Sequence, residues 1–341
     1  MAIAKTAGRA ATVAAGDCTP IFDHIAVWSA DTEASARFLT QVMGWKRHPT
    51  VIRVSDEEKT TGGMIGTFFD APGLWIELIE PTTPGPGQDI LDALGDGALV
   101  EINFDLGNEY PKALDLLTGR GVEMLSMDGS PLKDGGTINE GVFDGHEILN
   151  PGQRIAYFPT SMTGGTTVEY YEVRSDDAGS LLLERDRVWK DETRAPGTPW
   201  IDHVAIVTDD AEGAASFFAD YMGMKRHPGG SGEGAAKAVL LDAKGADEKP
   251  LWLRLVEPAP GNRAAALLAA RGSGHIMELG VVVEDIAAFG ARAAKLGVTL
   301  VDDRGTSLPA GTIPAGGAYF REEDSCGIPV RLIPASASAS C

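Results

Sequence analysis

Cysteine is scarce. The 341-residue chain holds three, Cys18, Cys326 and Cys341. They form no disulfide framework and no CxxC metal pair, which points to a reducing, cytoplasmic setting. Positive charge is scarce too: 29 Lys and Arg stand against 49 Asp and Glu, leaving a net charge of −20. That argues against nucleic acid or an anionic membrane as the main partner. No apolar run reaches the ~20 residues of a membrane-spanning helix. GxSxG elbows and HExxH helices are missing. The glycine-rich GGSGEG at 229–234 has no strand-to-helix context for a phosphate loop and reads as a flexible hairpin. What remains is an acidic chain of ordinary apolar content, 43%, long enough for two domains with proper cores.

The chain says one thing twice. TPIFDHIAVWSADTEASARFLTQVMGWKRHP at 19–49 returns as TPWIDHVAIVTDDAEGAASFFADYMGMKRHP at 198–228. One offset carries Asp23 and His24 onto Asp202 and His203. In DHIAVW the period-two alternation of a strand puts His24, Ala26 and Trp28 on one face. A helix follows, with Asp31 as N-cap, a stripe of Phe38, Leu39, Val42 and Met43, and Gly44 as its stop. Further strands lead to LWIELIEP at 74–81. The order then recurs: strand 99–106, a helix through Ala113, Leu114 and Leu117, and a closing strand at 166–173. The second half repeats it with strands at 202–207, 251–256, 276–283 and 328–333 and helices at 211–222 and 286–296. The pattern is βαβββ, four times over.

This organisation predicts tails at 1–18 and 336–341, domains at 19–173 and 198–335, and a charged linker at 174–197 with room for a short helix at LLLERDRVW. The Ala-rich start reads as a disordered tail rather than a targeting peptide.

The strand–His–helix–Gly opening, the IELIEP strand end and the four paired βαβββ modules resemble the vicinal oxygen chelate superfamily. That group holds glyoxalase I, methylmalonyl-CoA epimerase, bleomycin-resistance proteins and extradiol dioxygenases. The resemblance covers about residues 20–335, and its four-module layout is similar to the two-domain extradiol enzymes. It implies an α+β fold in which two modules curl into each cup-shaped mixed sheet. The first and last strand of each module would present one metal ligand each. Carried onto this chain, the ligands are His24, Glu77, Glu101 and Glu169, with Glu101 where the family more often has His. Trp28 and Tyr171 would face the same cup, lining a substrate pocket or packing as core.

The two halves differ at these positions. WIEL at 75–78 becomes WLRL at 252–255, so Arg254 stands for Glu77. TVEY at 167–170 becomes PVRL at 329–332, so Arg331 stands for Glu169, while Glu278 matches Glu101. A cation does not bind beside two guanidinium groups. The N-terminal half is therefore the catalytic candidate, and the C-terminal half closes its cup with Arg–Glu pairs or binds an anion. The first half also carries an insertion, 128–153, which predicts a lid over the cup. It contains His146, either a surface-loop histidine or, with Glu77, a group that moves a proton. His48 and His227 recur in a KRHP turn, which favours a structural role.

The resemblance implies one divalent metal ion (Zn, Mn, Mg or Fe), a small-molecule substrate and room for a homo-oligomer. The reading is a metal-dependent isomerase, epimerase or lyase that chelates an oxygenated substrate and stabilises an enolate-like intermediate. Two alternatives stay open. One is an extradiol-type Fe(II) ring-cleaving dioxygenase, for which His146 would have to supply a second histidine. The other is a small-molecule-binding resistance protein.

Overall fold

The computed structural model of the chain describes residues 20–54, 63–126, 129–136, 154–172, 197–227, 235–243, 245, 251–309 and 311–338. Both proposed tails (except 336–338), nearly all of the proposed linker, the GGSGEG segment and most of the 128–153 insertion, His146 included, lie outside the described residues.

The architecture is α+β, with two open mixed sheets of seven and eight strands. In the first half, β1 (Ile21–Trp28), β2 (Lys46–Val54), β3 (Met64–Ala71) and β4 (Leu74–Pro81) form one module. β5 (Ala98–Asp105), β6 (Ile155–Tyr157) and β7 (Thr167–Tyr171) belong to the next. The sheet order β2-β3-β4-β1-β5-β7-β6 puts the two opening strands side by side at the centre, antiparallel. Each opening strand is flanked by the closing strand of its own module in parallel.

The second half repeats this with β8 (Trp200–Val207), β9 (Lys225–His227), β10 (Ala235–Ala243), β11 (Leu251–Pro258), β12 (His275–Val283), β13 (Leu300–Val301), β14 (Ala318–Phe320) and β15 (Val330–Pro334). Its order is β13-β14-β15-β12-β8-β11-β10-β9.

Helices follow the opening strands as the sequence implies. α1 (Thr32–Arg37) starts where the Asp31 carboxylate accepts from the Ala34 N–H, and it runs into a π-helical turn at Phe38–Val42. α2 (Pro86–Leu94) comes next, and then α3 (Tyr110–Gly119). α4 (Ala211–Met222) is capped by Asp210 and stopped by left-handed Gly223. α5 (Arg263–Arg271), α6 (Ile286–Lys295) and the short α7 (Ala335–Ser338) complete the set.

Three expectations change. α2 and α5 sit between modules where the sequence reading had only connections. Pro86 at the start of one and the Asn262 cap of the other are the local signals that were there to find. In the second module, the strand after α3 shrinks to isolated bridges at Leu125. KRHP is not a turn: it opens β2, and its Lys-Arg-His forms β9. There His48 and His227 lie edge-on to Trp75 and Trp252, with ring centroids 6.3 and 4.8 Å apart. The recurrence is thus a repeated packing contact.

Strand alternation divides each sheet into a concave face and a convex face. The convex residues, among them Ile25, Val27, Ile76, Ile102, Val204, Leu253 and Val281, join the helices of both halves in one continuous buried cluster. Phe38 meets Phe320 at 5.0 Å, and Phe158 meets Phe217 at 5.0 Å. The first module therefore packs on the fourth and the second on the third. The Trp45 indole donates to the Pro199 carbonyl at 2.9 Å across the same boundary. Gly97 approaches Gly327 so closely that a Cβ on it would lie 2.2 Å from the Gly327 carbonyl carbon.

Because the halves share one core, we expect a single cooperative unfolding transition for the wild-type chain. Phe158→Ala should cost about 3–5 kcal/mol and split that transition in two, as read by calorimetry. A wild-type melt already showing two separate transitions would contradict the shared core.

Candidate active site in the N-terminal cup

The cup floor is set by register. β1 pairs with β4 so that Ala26 faces Glu77, and with β5 so that Ala26 faces Glu101. One step along, Trp75, His24, Asn103, Glu169 and Tyr157 form the next row across β4, β1, β5, β7 and β6. Directly opposed residues point to the same face. All four nominated residues thus arrive on the concave side from four different strands.

His24 anchors the group and is only 6% exposed. Its Nδ1 lies 2.8 Å from the Asp23 carboxylate, and its Nε2 lies 3.4 Å from Glu77 Oε2. Burial alone would depress the imidazole; the hydrogen bonds to Asp23 and Glu77 outweigh it and raise its pKa to about 9. Glu169 is 7% exposed. Desolvation, and then the charge of Glu101, push its carboxyl up to about 8, against a hydrogen bond from Tyr157. Desolvation and then Glu77 push Glu101 up to about 7. Three glutamates share this floor with one imidazole.

Two further side chains belong here and were not nominated from the sequence. With its amide oriented to satisfy both ends, Asn103 donates to Glu169 Oε1 and Oε2 at 3.3 and 3.2 Å and accepts from His24 Nε2 at 3.2 Å. The Tyr157 hydroxyl bonds Glu169 from the other side. Both had a signal. Asn103 lies two residues beyond Glu101 on one strand face, and Ala156-Tyr157-Phe158 recurs as Ala318-Tyr319-Phe320.

Of the two residues expected to line a pocket, Tyr171 does border the site, its ring 5.5 Å from that of His24. Trp28 is buried on the cup face farther along, in a small cluster with Ala26, Ile79 and Leu91. In this conformation, no three His, Cys, Asp or Glu side chains among the described residues are already grouped as a ligand shell. His24 and Glu77 face each other, and Glu169 is held by Asn103 and Tyr157. The donor chemistry, three carboxylates and an imidazole on one face, nonetheless suits a hard divalent ion.

The C-terminal cup shows the same floor neutralised from within. Glu278 occupies the Glu101 position. His203 Nε2 stands 3.4 Å from its Oε1, Arg331 Nη1 3.4 Å and Arg254 Nη1 3.7 Å, and Tyr319 donates to its Oε2 at 2.9 Å. Burial works against the charge of Glu278, but the His203 hydrogen bond and the two guanidiniums prevail and lower its pKa to about 2. Gly280 replaces Asn103, and the His203 ring lies over it. A Cβ there would be 2.1 Å from the His203 ring, so no larger residue leaves room. Both arginines thus face Glu278, as the Arg–Glu pairing expected from the sequence requires.

Glu278 carries a depressed pKa, so its contribution is complete above the ordinary carboxylate pKa of 4.5 and is lost as pH falls toward about 2. Glu278→Gln should therefore cost on the order of 3 kcal/mol at pH 7. The gap between variant and wild type should narrow steadily below pH 4 in urea titrations. An unchanged gap at pH 3 would contradict this account.

A family model of the Glyoxalase/Bleomycin resistance protein/Dioxygenase superfamily matches residues 21–128 and 200–332. Among curated proteins, no sequence relative matches. Among solved structures, a mutant of 4-hydroxymandelate synthase from Streptomyces coelicolor aligns with a TM-score of 0.57 at 15% identity, covering 93% of this chain and 92% of that one. The 2,3-dioxygenase LapB from Pseudomonas sp. KL28 aligns with a TM-score of 0.50 at 11% identity, covering 93% and 92%. At such identities the likeness is one of fold. With the family model matching both halves, and each half built of paired modules around a concave sheet, the chain belongs to the Glyoxalase/Bleomycin resistance protein/Dioxygenase superfamily.

Proposed function

We propose that the N-terminal cup is the active site of a divalent-metal-dependent enzyme acting on a small oxygenated substrate by redox-neutral isomerase, epimerase or lyase chemistry. The observation that carries this reading is the contrast between the cups. One clusters three glutamates around a single histidine, and the other replaces two of those glutamates with arginine. Clustered carboxylates repel one another in a desolvated cup, and a bound cation removes that cost.

His24, Glu77, Glu101 and Glu169 would hold the ion, whose identity among Zn, Mn, Mg and Fe stays open. When bound, it supplies a Lewis acid that stabilises the oxyanion of an enolate-like intermediate. The chain's residues do the rest. Asp23 holds the His24 ring through Nδ1 and fixes which nitrogen faces the cup. Asn103 and Tyr157 orient Glu169. Glu77, with its side chain 14% exposed, would accept a proton from a substrate carbon. His146, the other proton carrier nominated from the sequence, and the lid role of the insertion around it belong to this proposal too. Tyr171 closes one side of the pocket with its apolar ring.

The purified chain should contain about one divalent ion, and Glu169→Ala should empty the site. Metal that persists in Glu169→Ala but is lost in His203→Ala would move the site to the other half. In chelator-treated protein at pH 7, Glu169→Gln should raise the melting temperature, because folding then no longer has to desolvate and protonate a carboxyl whose pKa burial and Glu101 raise to about 8. A lower melting temperature would contradict the charge argument.

A second reading is an extradiol-type dioxygenase, favoured by the four-module layout shared with a 2,3-dioxygenase. It needs two histidines and one carboxylate around iron. Among the described residues, the nominated ligand positions supply only His24, so His146 would have to be the second. Turnover under anaerobic conditions, retained with Zn²⁺ or Mg²⁺, is the expected result. Fe(II)-dependent catechol cleavage with stoichiometric O₂ uptake would replace the first reading with the second.

A further inference from the structure

The C-terminal cup, although its carboxylates are neutralised, is not filled. A cavity of about 570 Å³ opens over its floor, lined by Arg254, Arg331, Glu278, Tyr319, Met277 and Ala264 among others. That volume lies in the range of small-molecule sites, and its walls mix apolar surface with a few convergent polar groups, as such sites do.

Arg254 is the telling residue. It is 8% exposed, and its contact with Glu278 Oε1, at 3.7 Å, is too long for a hydrogen bond. Among the described residues its guanidinium makes no hydrogen bond. Its nitrogens are not sealed in the core but open to the cavity, where they are free to meet a ligand. Arg331, by contrast, already donates to the Gly316 carbonyl at 2.6 Å and reaches Glu278. The floor is therefore not a closed Arg–Glu network: one of its two arginines is held facing the cavity with its donors unspent.

We propose that the C-terminal cup is a binding site for a small organic monocarboxylate, gripped by Arg254 with Arg331 beside it. The planar guanidinium fork matches a carboxylate in two-point geometry. Charge favours one negative group rather than two. The cavity is lined by four arginines, Arg254, Arg263, Arg304 and Arg331, against three carboxylates, Glu278, Asp302 and Asp303. That excess of one positive charge suits a monoanion better than a dianion such as phosphate. Met277, Val256, Ala264 and Pro314 offer an apolar wall to the body of the ligand.

The site is separate from the N-terminal cup, so it stands or falls independently of the metal reading. The test is isothermal titration of the full chain with benzoate, with benzamide and inorganic phosphate as comparisons. Benzoate should bind at one site per chain, and benzamide should not. Affinity should fall at least tenfold in Arg254→Met. It should fall similarly in Ala264→Leu, which fills the cavity from α5 and leaves both arginines in place, so it decides the matter if Arg254→Met fails to fold. Glu77→Gln should leave benzoate binding unchanged. The proposal is overturned if benzoate does not bind at millimolar concentration, or if both cavity variants bind it as well as wild type. Loss only in Glu77→Gln, or phosphate binding more tightly than benzoate, would overturn it as well.

Discussion

Everything distinctive in this molecule depends on how buried carboxylates are balanced. The concave sheet brings acidic side chains from separate strands onto one desolvated floor, and like charges there cost far more than in water. The C-terminal cup meets the constraint with its own residues. His203, Arg254, Arg331 and Tyr319 surround Glu278, whose pKa sinks to about 2. The N-terminal cup does not. Among the described residues, His24 is the one basic side chain set among Glu77, Glu101 and Glu169, and Glu101 and Glu169 rise to about 7 and 8. A duplicated scaffold thus carries two opposite answers to one electrostatic problem: carboxyl pKa values rise on one floor and sink on the other.

The scaffold permits this because the floor and the core use opposite faces of the same strands. Along β1, His24, Ala26 and Trp28 face the cup, while Ile25 and Val27 enter the shared core. Floor residues can exchange glutamate for arginine without disturbing the convex packing that joins the halves. Within the floor, small substitutions still propagate. Where Asn103 links His24 to Glu169 in the first half, Gly280 lets the His203 ring settle against the backbone in the second, and the histidine turns to Glu278 instead.

Much of this was legible without coordinates. The tandem repeat, the strand alternation that puts His24 and Glu77 on one face, the Asp31 cap and the Glu-to-Arg exchanges at 254 and 331 are local or comparative signals. They led to the α+β fold and to four nominated residues, His24, Glu77, Glu101 and Glu169, that share one sheet face. The inter-module helices α2 and α5 escaped because short helices after a strand carry little periodicity. Asn103 and Tyr157 escaped because a hydrogen-bonding role is assigned by partners, and theirs come from strands remote in sequence.

By itself, the sequence determined the duplication, the face on which each strand residue lies and the sign of the charges each cup receives, since all three follow from repeat spacing and a period of two. Only the tertiary structure decided which of those charges meet. Register across β4, β1, β5 and β7 set His24 against Glu77 and Asn103 against Glu169. The register of the second sheet left the Arg254 guanidinium beside an open cavity, without a hydrogen bond among the described residues. The physical reason is that pairing energy between strands depends on contacts far apart along the chain, which local pattern does not encode. The joining of two convex faces into one core was likewise decided there, because apolar alternation says that a face is buried but not against what.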